Sequence, residues 1–201
     1  MDAYGAVAQS VNFALKKSGF PAREFPAIKR AVGWGDAHLL EGFVGKKALP
    51  QVLRIYRKHH AGVLHRRVRL IAGAFLALKA LRRDGYCLAV ASNRPKKYSL
   101  IALRALGIHP FFDVIVCGDE VPRGKPAPDI LRRILEKCSV KPRQALYVGD
   151  MGIDIQAGRR ASIRTVAVLS GSGGRQDLLA LKPWKLIRSV KGLPQLLLAG
   201  R

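Results

Sequence analysis

The 201 residues include 36 Lys and Arg against 13 Asp and Glu, a formal net charge of +23, with 49% hydrophobic residues and a mean hydropathy of +0.06. That apolar content sustains a buried core and excludes a disordered chain, and no apolar run reaches the roughly 18 residues of a membrane span. Cys87, Cys117 and Cys138, odd in number and widely spaced, exclude a disulfide framework and fit a reducing compartment. The start Met1-Asp2-Ala3-Tyr4 has neither the cationic nor the apolar stretch of a signal peptide, so a soluble, cytoplasmic protein is expected.

Residues 3 to about 83 read as helices alone. Val7, Val11, Ala14 and Leu15 follow helical spacing and are closed by Gly19, with Pro21 beyond. A short helix is predicted from Asp36, a good N-cap, through Leu39, Leu40 and Phe43. Pro50 opens a further helix with Val52, Leu53 and Tyr56, because a first turn tolerates proline. Ile71 to Leu81 forms the last, ended by Arg82-Arg83-Asp84-Gly85.

From residue 86 strands and helices alternate. Strands are predicted at 88–91, 112–117, 145–148 and 164–169, and helices at 95–106, 127–137, 152–161, near 176–181 and after Pro194. The run Leu88-Ala89-Val90-Ala91 is continuously apolar, as a strand covered on both faces should be. Such alternation means a parallel sheet with helices on both faces. The expected fold class is therefore α/β, a Rossmann-like parallel core at 84–201 preceded by an all-helical domain at 1–83.

The charge raises the local concentration of polyanions, so nucleic acid and anionic metabolites are both candidate partners. The densest basic run, Arg54 to Arg69, contains His59, His60 and His65 but only one interleaved aromatic, Tyr56, and no nucleic-acid-binding signature. A solvated basic surface is the simpler reading. The three histidines lack the Cys or carboxylate partners of a metal site.

Ligands of an open parallel sheet bind beyond the carboxyl ends of its strands. Strand 88–91 runs into Ser92-Asn93-Arg94-Pro95, and strand 145–148 into Gly149-Asp150 with Asp154 on the following helix. Between them lies the loop Pro122-Arg123-Gly124-Lys125-Pro126-Ala127-Pro128-Asp129. For a phosphate ligand with Mg²⁺ each group has a task. Ser92, Asn93 and helix-start N–H groups hold phosphate oxygens. Lys125 neutralises the phosphoryl group, and Asp150 and Asp154 supply the one or two carboxylates that Mg²⁺ needs.

These stretches resemble the haloacid dehalogenase-like superfamily, in its phosphoglycolate phosphatase and pyrophosphatase branch. The resemblance rests on Leu88-Ala-Val-Ala-Ser-Asn-Arg-Pro95, Gly124-Lys-Pro-Ala-Pro-Asp129, and Ala145-Leu-Tyr-Val-Gly-Asp150 with Asp154, in the family's order. It implies that 1–83 is a helical cap, that Ser92 and Asn93 bind phosphate, that Lys125 orients nucleophile and phosphate, and that Asp150 and Asp154 serve Mg²⁺. The family's first motif, a central strand ending in Asp-x-Asp, has no counterpart, since no two aspartates here are separated by two. The expectation is a start upstream of Met1, with loss of the motif or a replacement nucleophile as alternatives.

The expected function is a Mg²⁺-dependent phosphatase on a small phosphorylated metabolite, inactive in this form, with no membrane partner. The alternatives are a non-catalytic domain that binds polyanions, and an assembly subunit that docks a foreign strand in the open sheet. The sequence identifies neither the substrate nor the oligomeric state.

Overall fold

The computed structural model describes residues 1–198. Three helices make the N-terminal bundle: α1 (Tyr4–Lys17), α2 (Phe25–Ala31) and α3 (Asp36–Arg67). The stripe predicted on α1 is buried, and Val7, Val11, Ala14 and Leu15 meet Ile28, Leu39, Leu40, Val52 and Tyr56. Leu15 and Leu40 are fully buried, each worth about 1.5–3 kcal/mol of transfer free energy. Gly19, at φ +77°, ends α1. Its N–H bonds to Lys16 O at 3.3 Å, and Phe20 N bonds to Leu15 O at 2.9 Å, which satisfies two carbonyls at the helix end.

The two helices expected across 36–56 form one continuous run, broken at Gly45 (φ 70°, ψ 171°) rather than at Pro50. Glycine alone adopts that conformation readily, so the bend forms there. Pro50 lies just beyond, close to the restart, where its missing N–H interrupts a single turn. Asp36 is not the N-cap. Gly35 takes that position, and the Asp36 carboxylate instead accepts two bonds from Arg57, at 2.8 and 3.0 Å. Helix α2 was not predicted; its seven residues bury only Ile28 and show no periodicity.

Helix α4 (Ala74–Arg83) packs on residues 190–192 and on the last helix, α9 (Leu193–Leu198). The helical region therefore has its bundle in α1–α3, while α4 lies against the C-terminal elements. A second apolar cluster, with Ala3, Ala6, Leu64 and Val68 against Tyr98 and Ala102, joins the bundle to the α/β part.

That part follows the predicted alternation. It comprises β1 (Ala89–Ser92), α5 (Lys96–Ala105), β2 (Val114–Cys117), α6 (Asp129–Cys138), β3 (Leu146–Gly149), α7 (Gly152–Arg160), β4 (Arg164–Val168), α8 (Arg175–Ala180) and β5 (Lys185–Ile187). All pairs are parallel, with Ser92 opposite Cys117 and Gly149 opposite Ala167. They form two sheets, ordered β2-β1 and β3-β4-β5. Strands β1 and β3 pair with one another nowhere along their length, yet Ala91 and Tyr147 pack on the same cluster of Leu131, Leu135, Ala157, Ala161 and Ile163. Val116, Val166 and Ala167 are fully buried, whereas no residue of β1 or β3 is. Inner strands of a parallel sheet are normally the most buried. Here each keeps one edge without a strand partner among the described residues.

Candidate active site

The carboxyl ends of β1 and β3 open into one cavity of about 200 Å³ between the helical bundle and the sheets. Ser92, Asn93, Lys125, Asp150 and Asp154 all line it. The predicted convergence of groups distant in sequence is present, but the groups are differently engaged.

Lys125 is held within a buried triangle. Its ammonium donates to Asp154 Oδ1 at 2.7 Å, to the Tyr147 hydroxyl at 2.9 Å and to Ala91 O at 3.1 Å, so it ties β1 to β3 and α7. The Tyr147 hydroxyl donates to the same Asp154 oxygen at 2.8 Å. The second oxygen, Oδ2, accepts the backbone N–H groups of Asp150 and Met151 at 3.1 and 3.0 Å. Burial opposes the charge on Lys125, but Tyr147 and Asp154 more than offset it and raise its pKa. Burial likewise opposes ionisation of Asp154, and the Lys125 ammonium overcomes it, holding the carboxyl below the usual range. The Asp154 carboxylate thus accepts four protein hydrogen bonds, the full complement of a carboxylate. The approach is close, since a Cβ at Gly149 would lie 2.3 Å from Asp154 Cβ.

Asn93 is similarly committed. Its Nδ2 donates to Gly33 O at 2.9 Å and Lys125 O at 2.8 Å, and its Oδ1 accepts the Lys125 N–H at 2.6 Å. Two carbonyl partners fix which end is the nitrogen. The side chain expected on phosphate therefore clamps the Lys125 loop and reaches the 32–35 turn of the helical region.

Ser92 and Asp150 remain more open. Ser92 Oγ accepts the Arg94 N–H at 3.1 Å, which leaves its own proton to donate. Of the N–H groups expected for phosphate at the start of α5, that of Lys96 goes to Asp119 at 2.9 Å. Asp150 Oδ2 accepts the N–H and hydroxyl of Ser172 at 2.8 and 3.1 Å. A Cβ at Gly171 would fall 2.0 Å from that oxygen, so glycine is required for this contact.

Sequence reasoning did not single out Tyr147 or Arg94. A tyrosine inside the apolar strand Leu-Tyr-Val-Gly was a usable signal, because a buried hydroxyl needs a partner. Arg94 lines the cavity, and its Nη1 is buried without a hydrogen-bond partner. Burial lowers its pKa, partly offset by Tyr56, Tyr4 and Asp36. An orphaned guanidinium nitrogen in a cavity is a donor set for an anionic ligand.

Among the described residues no three His, Cys, Asp or Glu side chains converge as a metal-binding group. The chemistry fits Mg²⁺ to the extent that Asp150 carries one oxygen free of protein donors, while Asp154 is saturated; Mg²⁺ commonly uses one or two carboxylates and several waters. Two of the three histidines of the basic run have protein partners in the helical bundle. His60 is buried against Tyr56, His59 stacks on Phe13, and the Nδ1 atoms of His59 and His60 meet at Ser10 Oγ.

The haloacid dehalogenase-like hydrolase family model matches residues 1–168. The chain belongs to that family. A phosphoglycolate phosphatase of Cupriavidus necator is 30% identical over 201 residues, covering 97% of this chain and 87% of the relative. One of Aquifex aeolicus is 30% identical over 171 residues, 85% of this chain and 80% of the relative. The crystal structure of a predicted phosphoglycolate phosphatase of Haemophilus somnus superposes with a TM-score of 0.91 at 25% identity, covering 97% and 92% of the two chains. A haloacid dehalogenase-like family protein of Streptococcus pneumoniae shares the fold, with a TM-score of 0.86 at 22% identity over 99% and 91%. The expected superfamily and branch are therefore established for this haloacid dehalogenase-like hydrolase, as is the expected α/β fold with its helical N-terminal region. No helix among the described residues is long and apolar enough to cross a membrane.

Proposed function

We propose that the site is that of a Mg²⁺-dependent phosphatase for a small phosphorylated, carboxylate-bearing metabolite of the phosphoglycolate type. The observation that carries this reading is the shared cavity, in which the Ser92 hydroxyl, the Lys125 ammonium and the Asp150 carboxylate stand beside the Arg94 guanidinium with its unpartnered Nη1. Ser92 donates to a phosphoryl oxygen, and Lys125 neutralises charge that builds during transfer. Asp150 would hold Mg²⁺ directly with Asp154 behind it, fixing Lys125 and the Asp150 N–H. Mg²⁺ supplies positive charge against the phosphoryl oxygens. Arg94 takes the second anionic group of the substrate, and the small volume favours a substrate of few atoms.

Phosphoryl transfer through an aspartyl intermediate needs an unengaged carboxylate. Of the aspartates lining this cavity, Asp36 is held by Arg57 and Asp154 by Lys125 and Tyr147, while Asp150, with Ser172 on one oxygen, has its other oxygen assigned to Mg²⁺ and not to attack. The 201-residue chain therefore binds substrate but turns over no phosphate ester. The unpaired edges of β1 and β3 offer a seat for one further parallel strand, which would bring the attacking carboxylate between Ser92 and Asp150.

Thermal unfolding with 2-phosphoglycolate, inorganic phosphate or glycolate, each with Mg²⁺, tests binding. Phosphoglycolate raises Tm most, and Arg94→Met removes the excess over inorganic phosphate. No shift with either phosphate compound refutes the phosphate site. Hydrolysis of an aryl phosphate by the chain itself, lost in Ser92→Ala, refutes the assignment of inactivity.

A further inference from the structure

Fifty-one positions separate Cys87 from Cys138, yet their sulfur atoms lie 3.3 Å apart. Cys87 precedes β1 and is exposed, and Cys138 is the last residue of α6 and half-buried. The third cysteine, Cys117, is fully buried in β2. The pair sits in an open depression of about 520 Å³, rimmed by Arg82, Asp113 and Lys137. This lies at the amino ends of β1 and β2, opposite the cavity at Ser92. Asp113 fixes the local backbone by accepting the Leu88 N–H at 2.8 Å and the Arg82 guanidinium at 2.6 Å. Closing the sulfurs by a further ~1.3 Å reaches the bonding distance of about 2.05 Å.

We propose that Cys87 and Cys138 are a redox-active dithiol that closes to an intramolecular disulfide with a small anionic disulfide of the glutathione class. The Cys87 S–H points at the Cys138 sulfur, a geometry that keeps a donor on Cys138 and assigns it as the attacking sulfur. Burial and the neighbouring thiol push the Cys87 pKa up to about 12. The Cys138 thiolate attacks one sulfur of the external disulfide, forming a mixed disulfide and expelling one external thiolate. Cys87 then attacks Cys138 sulfur, giving up its proton to solvent and expelling the second thiolate. In total two protein thiols are oxidised and one external disulfide is reduced to two thiols.

The consequence lies in what α6 touches. Leu131 and Leu135 of this helix contact a cluster that includes Ala91 of β1 and Tyr147 of β3. A Cys87–Cys138 bond pins the start of β1 to a layer that both half-sheets share. It also closes a long loop in the unfolded chain, which raises Tm by roughly 5–10 °C.

The test incubates the native chain with glutathione disulfide and follows intact mass, a tryptic map and Tm. The expected product has lost two hydrogens, carries no glutathione, yields a Cys87–Cys138 linked peptide and melts higher. Cys87→Ser stops at a stable glutathione adduct on Cys138, without the rise in Tm. Persistent glutathione adducts on the unmodified chain, or a disulfide that joins two chains, overturn the proposal. The Cys87→Ser variant changes only one peripheral thiol, and dithiothreitol must return the oxidised native protein to its starting mass and Tm.

Discussion

Lys125 Nζ and Asp154 Oδ1 stand 2.7 Å apart, with side chains only 10% and 5% exposed. Removing one partner of such a pair leaves the other charged and buried, and this costs far more than the pair itself contributes. Asp154→Asn is therefore expected to lose about 3–5 kcal/mol of stability at pH 7, measured by urea denaturation. Asp154 has its carboxyl pKa depressed in the folded state. Its contribution is thus present above the unfolded pKa near 4 and fades as pH falls through the folded value. The deficit of the variant should be constant from pH 8 to 5 and shrink below 4. A deficit that vanishes at pH 6 would contradict the assignment.

Asn93 distinguishes a clamp from a ligand. Its nitrogen faces two carbonyl oxygens, Gly33 O and Lys125 O. Asn93→Ala removes three hydrogen bonds and leaves the partners bare, a loss of about 1–3 kcal/mol. Asn93→Asp keeps the shape but points a carboxylate oxygen at both carbonyls, and is expected to be worse than alanine at pH 7. Thermal melting of the two variants side by side decides it. If Asp proves milder than Ala, the amide orientation given above is wrong.

The alternating pattern after residue 86 was legible because continuous apolar strands and amphipathic helices write their periods plainly, and the ends of α5, α7 and β4 fell within about two residues. The approach of Ser92, Lys125 and Asp150 was legible for a different reason. Parallel topology places successive strand ends on one rim, whatever the intervening sequence. What could not be read was how polar groups divide among partners. Asn93 and Asp154 look like ligands in sequence because each follows a strand, but their use depends on which donors come within about 3 Å, a property of the packed structure. The same holds for Cys87 and Cys138, whose separation in sequence argued against pairing. β5 (Lys185–Ile187) was missed because three residues flanked by Trp184 and Arg188 carry no period.

Gly45 offers a clean measure of backbone preference. At φ 70° and ψ 171° it occupies a region reserved for glycine, and a Cβ there would meet no atom within 4 Å. Gly45→Ala therefore adds no clash, and its cost is conformational alone, about 1–3 kcal/mol. A urea titration should show the midpoint fall with unchanged slope. A change in slope, or an unchanged midpoint, would mean that α3 straightens through the break instead.

His60 sets the acid sensitivity of the bundle. It is 1% exposed, stacked on Tyr56 and edge-on to Tyr98, with Nδ1 3.2 Å from Ser10 Oγ. Ser10 spends its proton on Ala6 O at 2.8 Å, so the neutral ring with hydrogen on Nδ1 fits as the donor. His59 meets the same hydroxyl, and Arg94 contributes positive charge nearby. Burial is the main reason that the His60 pKa falls to about 4, with Arg94 adding to it. Above pH 6.5 both folded and unfolded states hold the ring neutral, and its effect on stability is nil. As pH drops from 6.5 towards 4 the unfolded state takes up a proton that the folded state refuses, and stability declines by up to roughly 3 kcal/mol. His60→Gln cannot titrate, so its Tm should fall less steeply than that of the parent between pH 7 and 4.5. Equal slopes for the two proteins would place the acid sensitivity elsewhere.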